Sequence, residues 1–204
     1  MSRKPGRPRS FEADTVLRAA MRCFWRKGYS GTSLDDLVAA TGLNRPSLYN
    51  AFGDKRAVYL AALQAYITGS SLGVRGTLAG KAPLRDELTQ LFARAIQTFT
   101  GGPGGGQGCF VIGTAIVEAE EDQPTREAVL SLFQGLDRDL IARFRAAATE
   151  ELPLGGDAES LGRMSVAMLH SLSVRARSGM GPEMLSMIAA GAVDMLAPAK
   201  RREA

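Results

Sequence analysis

Between Asn44 and Lys55 the chain carries Arg45, Ser47, Tyr49 and Asn50 on one short polar segment. These residue types share one kind of chemistry. An arginine can make two parallel hydrogen bonds to a guanine edge, and an asparagine can do the same to an adenine edge. Serine and tyrosine hydroxyls and a lysine such as Lys55 suit phosphate oxygens. Residues able to do other chemistry are few. There is one histidine, His170, and there are two cysteines, Cys23 and Cys109. A lone histidine argues against a histidine metal site, and two cysteines do not make a disulfide framework. After residue 60 only Cys109 and His170 resemble a nucleophile and its base, and they lie 61 positions apart. The "GGPGGG" run at 101–106 follows a helix and lacks a lysine, so it is no P-loop. "RGTLAGKA" has Arg75 in place of the first P-loop glycine and Ala82 in place of the magnesium-binding hydroxyl. No catalytic residue, metal site or cofactor is expected.

The elements that must position the polar segment are legible. Thr32 or Ser33 can cap a helix that opens "LDDLVAA", with Asp35 or Asp36 three residues on. Leu34, Leu37 and Val38 give it an inner face, and Gly42 ends it in a sharp reversal. Asn44 can cap a very short next helix, with Pro46 in its first turn where no amide proton is needed. Leu48 and Phe52, four apart, hold that helix down and leave Arg45, Pro46, Ser47, Tyr49 and Asn50 outside. Two helices joined by a four-residue turn have helix-turn-helix spacing, whose second helix enters the major groove of DNA. Asp54 then opens a fourth helix, with Lys55 at its start, where its charge and the terminal amides can grip a phosphate.

The composition agrees. Of 204 residues, 45% are apolar and only 6% aromatic, with Ala, Leu and Met supplying the core. That mix favours helices. Through residue 60 there are eleven basic and five acidic side chains, leaving fourteen against sixteen beyond. A basic front on a mildly acidic body points to a polyanion partner for the front alone. Residues 1–10 read as a flexible basic arm. Its "KPGRPR", with Arg7 and Arg9, is similar to an AT-hook that could enter an A·T minor groove, or it adds unspecific phosphate attraction. A first helix spans about 11–27. Further helices are expected near 84–100, 107–121, 124–151, 158–178 and 182–197. Gly69 and Gly73 are expected to weaken the far end of the fourth helix. No uninterrupted apolar run is long enough to span a membrane and no secretion signal is evident, which suggests a reduced cytoplasmic location.

"AAMRCFWRKGYSGTSLDDLVAATGLNRPSLYNAFGDK", residues 19–55, resembles the DNA-binding domain of TetR-family transcriptional regulators. The matching positions are Phe24, Gly28, Thr32, Ser33, Thr41, Gly42, Leu43, Leu48, Tyr49, Phe52 and Lys55. Asn44 stands where the family often has serine, and Ala51 where it often has histidine, so Ala51 is given no role. The resemblance implies an all-α protein. Its N-terminal three-helix helix-turn-helix domain would span 11–56, and its C-terminal ligand-binding and dimerisation domain 57–204. It implies a homodimer on a pseudopalindromic double-stranded operator, probing DNA through Arg7, Arg9, Thr32, Ser33, Asn44, Arg45, Pro46, Ser47, Tyr49, Asn50 and Lys55. It also implies a small-molecule effector that releases a repressor from DNA. An architectural DNA binder without a ligand, and an enzyme with a DNA-binding head, are the rival readings.

The body offers further candidates. Phe92, Ile96, Phe99, Phe110 and Phe133, with Cys109, are candidates for a pocket, or else plain core. Cys109 begins a helix whose dipole could lower its thiol pKa and make it an electrophile or redox sensor; the alternative is simple packing. Leu161, Met164, Met168 and Leu172 form one helical stripe, and Met184, Met187, Ile188 and Met195 another. Both read as a dimer seam, although adaptable methionines could also line a pocket. His170 reads as a hydrogen-bonding neighbour of such an interface. The acidic run Glu118, Glu120, Glu121 and Asp122 reads as a solvated face.

Overall fold

The chain was described from a computed structural model covering residues 9–102 and 105–199, with side chains from Ala13 onward. The described residues form nine α-helices and one 3-10 turn, without a strand. They are α1 (Arg9–Lys27), α2 (Leu34–Thr41), α3 (Arg45–Phe52), α4 (Lys55–Thr77), α5 (Leu84–Thr100), α6 (Phe110–Glu118), α7 (Gln123–Arg145), α8 (Ala158–Arg177) and α9 (Pro182–Leu196). The all-α expectation holds.

The head is built by local chemistry. Ser33 Oγ accepts the Asp36 amide at 3.1 Å, and the Asp36 carboxylate accepts the Ser33 amide at 2.9 Å, closing the capping box on α2. Lys27 first, and then the Ser33 donors, hold the Asp36 carboxyl far below its ordinary value. Gly42 ends α2 with φ 71°, a left-handed conformation that a side chain would resist. Leu37, Leu48 and Phe24 fill the core beneath, with Phe52 half-buried on it.

Four expectations are corrected. Arg9 and Ser10 belong to α1 rather than to the arm. α4 runs unbroken through Gly69 and Gly73 to Thr77, because packing of Ile67 and Val74 outweighs the poor propensity of glycine. α4 also carries Val58 and Tyr59 into the head core, so the boundary expected between 56 and 57 falls inside one continuous helix. The expected 124–151 helix stops at Arg145 and is followed by a 3-10 turn at Thr149–Glu151. By length and composition α4 could cross a membrane. Its Val58, Ala62, Leu63 and Ile67 are instead buried within the protein, and Arg56 and Arg75 meet Asp122 and Asp139, the pattern of a core helix.

In the body α7 packs along α8, and α5 against both α8 and α9. Two features lock this layer. Arg143 and Glu87, both buried, pair at 2.5 Å between α7 and α5. Glu87 also accepts the Lys81 amide at 3.0 Å, and Arg143 donates to the Ala82 carbonyl at 3.1 Å, fixing the loop before α5. Gly162 lets α8 press onto α7: a Cβ there would sit 2.8 Å from the Ile141 backbone nitrogen.

Candidate functional site

α3 presents one face to solvent. Arg45, Pro46, Ser47, Tyr49 and Asn50 are all exposed, while Leu48 is buried. Asn44 Oδ1 accepts the Ser47 amide at 2.9 Å, which starts the helix and spends one side-chain acceptor on the cap. The Arg45 guanidinium is held at 2.7 Å by Asp35 of α2, an exposed pair. Lys55 Nζ lies 4.4 Å from the Tyr29 ring centroid at the first turn of α4. Asp54 Oδ1 caps that helix by accepting the Ala57 amide at 2.8 Å.

Not every expected contact residue shares this face. Thr32 is 1% exposed, and its hydroxyl donates to the Gly28 carbonyl at 2.6 Å. It is a core group of the α1–α2 turn and cannot offer its side chain to a phosphate. Ser33 is exposed, yet its hydroxyl is engaged with Asp36. Arg7, and the side chain of Arg9, lie outside the described residues.

Behind the head a cavity of about 850 Å³ opens between α1, α4, α5, α7 and α8. α1 contributes Leu17, Met21 and Trp25; α4 contributes Tyr66, Gly69 and Gly73. Leu132 and Leu136 of α7 and Leu169 of α8 complete an apolar wall. Its exposed margin is polar, with Asp14, Arg18, Arg94, Gln97 and Thr98. Of the expected pocket residues, Phe99 and Cys109 line this space. Phe92, Ile96 and Phe110 are packed in the core, and Phe133 meets His170 at a tilt, with centroids 4.6 Å apart. The contribution of α1 was missed, as were Tyr66 and Arg94. Gly69 and Gly73, one helical turn apart, were the available signal for an open groove on α4.

Cys109 departs from the expectation of a reactive thiol. The Val111 and Ile112 amides at the start of α6 and the Tyr66 hydroxyl, 3.4 Å from its sulfur, favour the thiolate. Burial outweighs them and pushes the pKa up. Cys23, also buried, is raised by burial first and by Asp36 second. His170 lines the cavity. Its Nε2 is shielded from solvent and has no hydrogen-bond partner among the described residues, and burial lowers its pKa against the opposing pull of Asp137.

The expected seam residues divide. Met164, Met184, Met187 and Met195 are exposed, joined by Val174. Leu161, Met168 and Ile188 are half-buried against the core. Leu172 is fully buried inside the protomer and is withdrawn from the seam.

The cavity and the head are joined by touching rings. Trp25 and Tyr66 meet edge-on at 5.2 Å, Tyr66 meets Phe110 at 5.7 Å, and Phe110 meets Tyr59 at 6.0 Å. Tyr59 then contacts Tyr29 at 4.9 Å, beneath Lys55. Polar contacts reinforce the junction: Ser30 donates to Glu118 at 3.0 Å, Arg56 pairs with Asp122 at 2.5 Å, and Tyr59 and Thr114 hydroxyls lie 2.9 Å apart. Glu118 and Asp122 are thus docking residues, not merely a solvated run.

Comparison with known proteins matches residues 16–62 to the family model for bacterial regulatory proteins, tetR family. The chain is 30% identical over 186 residues to the HTH-type transcriptional repressor ComR of Escherichia coli (strain K12), covering 90% of this chain and 88% of that protein. It is 31% identical over 117 residues to the uncharacterized HTH-type transcriptional regulator YezE of Bacillus subtilis (strain 168); that match spans 60% of the relative's length. Among solved structures, a cysteine mutant of the TetR family transcriptional regulator CifR, complexed with 26bp double-strand operator DNA, superposes with a TM-score of 0.79 at 31% identity, covering 92% of this chain and 98% of that one.

Proposed function

Because this chain belongs to the TetR family of DNA-binding transcriptional regulators, we propose that it is a repressor. In this reading two copies hold a pseudopalindromic operator in the cytoplasm until a small molecule enters the cavity and releases them. Two α3 helices would occupy successive major grooves, roughly 34–36 Å apart. The observation that carries the reading is the placement of one exposed polar helix, α3, in a head whose other two supports, α1 and α4, also wall the cavity. An occupant pressing on Trp25 and Tyr66 acts directly on the helices that set the direction of α3. The repressor similar to this chain over most of its length supports the sign of control.

Two other readings have less support. A purely architectural DNA binder has no use for a cavity of this size. A Cys109 electrophile sensor needs a thiolate, and burial disfavours that form here.

The test is selection of bound oligonucleotides from a random pool, followed by band shifts with variants. Arg45→Ala and Asn50→Ala relax the choice at particular base pairs by roughly tenfold. Tyr49→Phe and Lys55→Ala weaken all sequences alike. An Arg45→Ala protein that selects an unchanged sequence removes Arg45 from base reading. A purified protein that selects nothing removes the whole proposal.

A further inference from the structure

The cavity lining specifies more than size. A volume of about 850 Å³ lies within the roughly 300–1,000 Å³ of small-molecule sites. Its buried wall is mainly apolar, with Trp25, Leu132, Leu136 and Leu169. On α4, a Cβ added at Gly69 or Gly73 would meet nothing within 4 Å, so the helix offers an open groove where side chains would otherwise stand. An apolar body fits this wall.

The polar margin carries a sign. Asp14 and Arg18 lie one helical turn apart on α1 and offset one another in charge. Among the described residues Arg94 makes no ion pair. Its Nη1 donates to the hydroxyl of buried Thr77 at 2.9 Å, and that hydroxyl donates in turn to the Gly73 carbonyl at 2.9 Å. Arg94 is therefore steered by a neutral group on the wall of the groove. By contrast, Arg56, Arg75, Arg85, Arg143 and Arg145 each meet a carboxylate. A guanidinium presents a planar fork of donors matched to a carboxylate. His170 also lines the cavity, and its Nε2 is shielded from solvent without a hydrogen-bond partner among the described residues.

Resting on the effector-release reading above, we propose that the ligand is an amphipathic organic carboxylate. Its apolar body lies along the Gly69–Gly73 groove against Trp25, and its carboxylate is received by Arg94.

Trp25 is the chain's single tryptophan and lines the cavity, so its emission reports occupancy without a label. The experiment titrates the full-length protein with decanoate, 1-decanol and decylamine, one chain length with three head groups. Trp25 fluorescence and operator band shifts are followed in parallel. Decanoate saturates the emission change at a concentration at least tenfold below either other probe. Arg94→Ala abolishes that preference while 1-decanol still binds, and Arg94→Lys keeps part of it. Equal or tighter binding of decanol or decylamine, no response to any probe, or carboxylate preference that survives Arg94→Ala each overturns the proposal. The two levels separate cleanly. Decanol or decylamine binding at least as tightly as decanoate and releasing operator removes the ligand class and leaves effector release standing. Decanoate binding at Arg94 without any change in operator affinity does the reverse.

Discussion

Single residues in this head do two things at once, and their substitution separates the roles. Asn44 caps α3 through the Ser47 amide and also stands at the edge of the exposed face. Asn44→Ala should cost about 1 kcal/mol of stability, measured by urea denaturation, beyond any loss of DNA affinity. Ser47→Ala keeps the capped amide and should leave stability unchanged. His170 gives a prediction in pH. Burial lowers its pKa below the ordinary value, so the folded state resists the proton that the unfolded state accepts. Its contribution to stability is complete above the unfolded pKa of about 6.5 and declines as pH falls below it. As the only histidine, it gives one imidazole signal in an NMR titration, whose midpoint should lie below 6.5. His170→Phe should flatten the fall of melting temperature between pH 7.5 and 5.5. A midpoint above the ordinary value would show that Asp137 outweighs burial.

At the scale of elements, what was legible in sequence was what local chemistry decides. Ser33, Gly42, Asn44 and Asp54 mark the starts and the turn of the head helices, because a cap or a left-handed glycine acts within a few residues. Long-range pairings were not legible. Nothing near Glu87 announces Arg143, and nothing in α1 shows that Leu17, Met21 and Trp25 face a cavity rather than solid core. Both cases depend on which helices meet, not on the pattern of either one. The short α6 and the buried Thr32 failed for the same reason. Two measurements address these pairings. Arg143→Met leaves Glu87 buried without its cation and should cost about 3–5 kcal/mol, whereas Arg143→Met with Glu87→Leu should recover most of it in the same denaturant series. Gly162→Ala forces a methyl against the Ile141 backbone and should destabilise by about 1–3 kcal/mol. Ring contacts offer a test of coupling: Phe110→Leu removes the link between Tyr66 and Tyr59. It should leave occupancy of the cavity intact while weakening the effect of an occupant on operator binding.

At the scale of the molecule, α8 and α9 turn Met164, Met184, Met187 and Met195 outward as an exposed apolar face. Met187 and Met195 are 68% and 69% exposed, so substitution there does not disturb the protomer core. Met187→Asp with Met195→Asp should yield a folded monomer in sedimentation, with operator affinity reduced roughly 100-fold by loss of the second half-site. The outward methionines were expected from spacing, while Leu172 was not separable from them, because a helix stripe does not say which of its residues another helix covers. The head is tied to the start of α7 through the Arg56–Asp122 pair, which is partly open to water. Dissolved electrolyte screens that pair as it screens phosphates. Adding salt therefore loosens the protein's own joint as well as its grip on DNA. The logarithmic decline of affinity with ionic strength should be steeper than the number of phosphates touched would give, and part of that steepness should disappear when Arg56 is replaced by methionine.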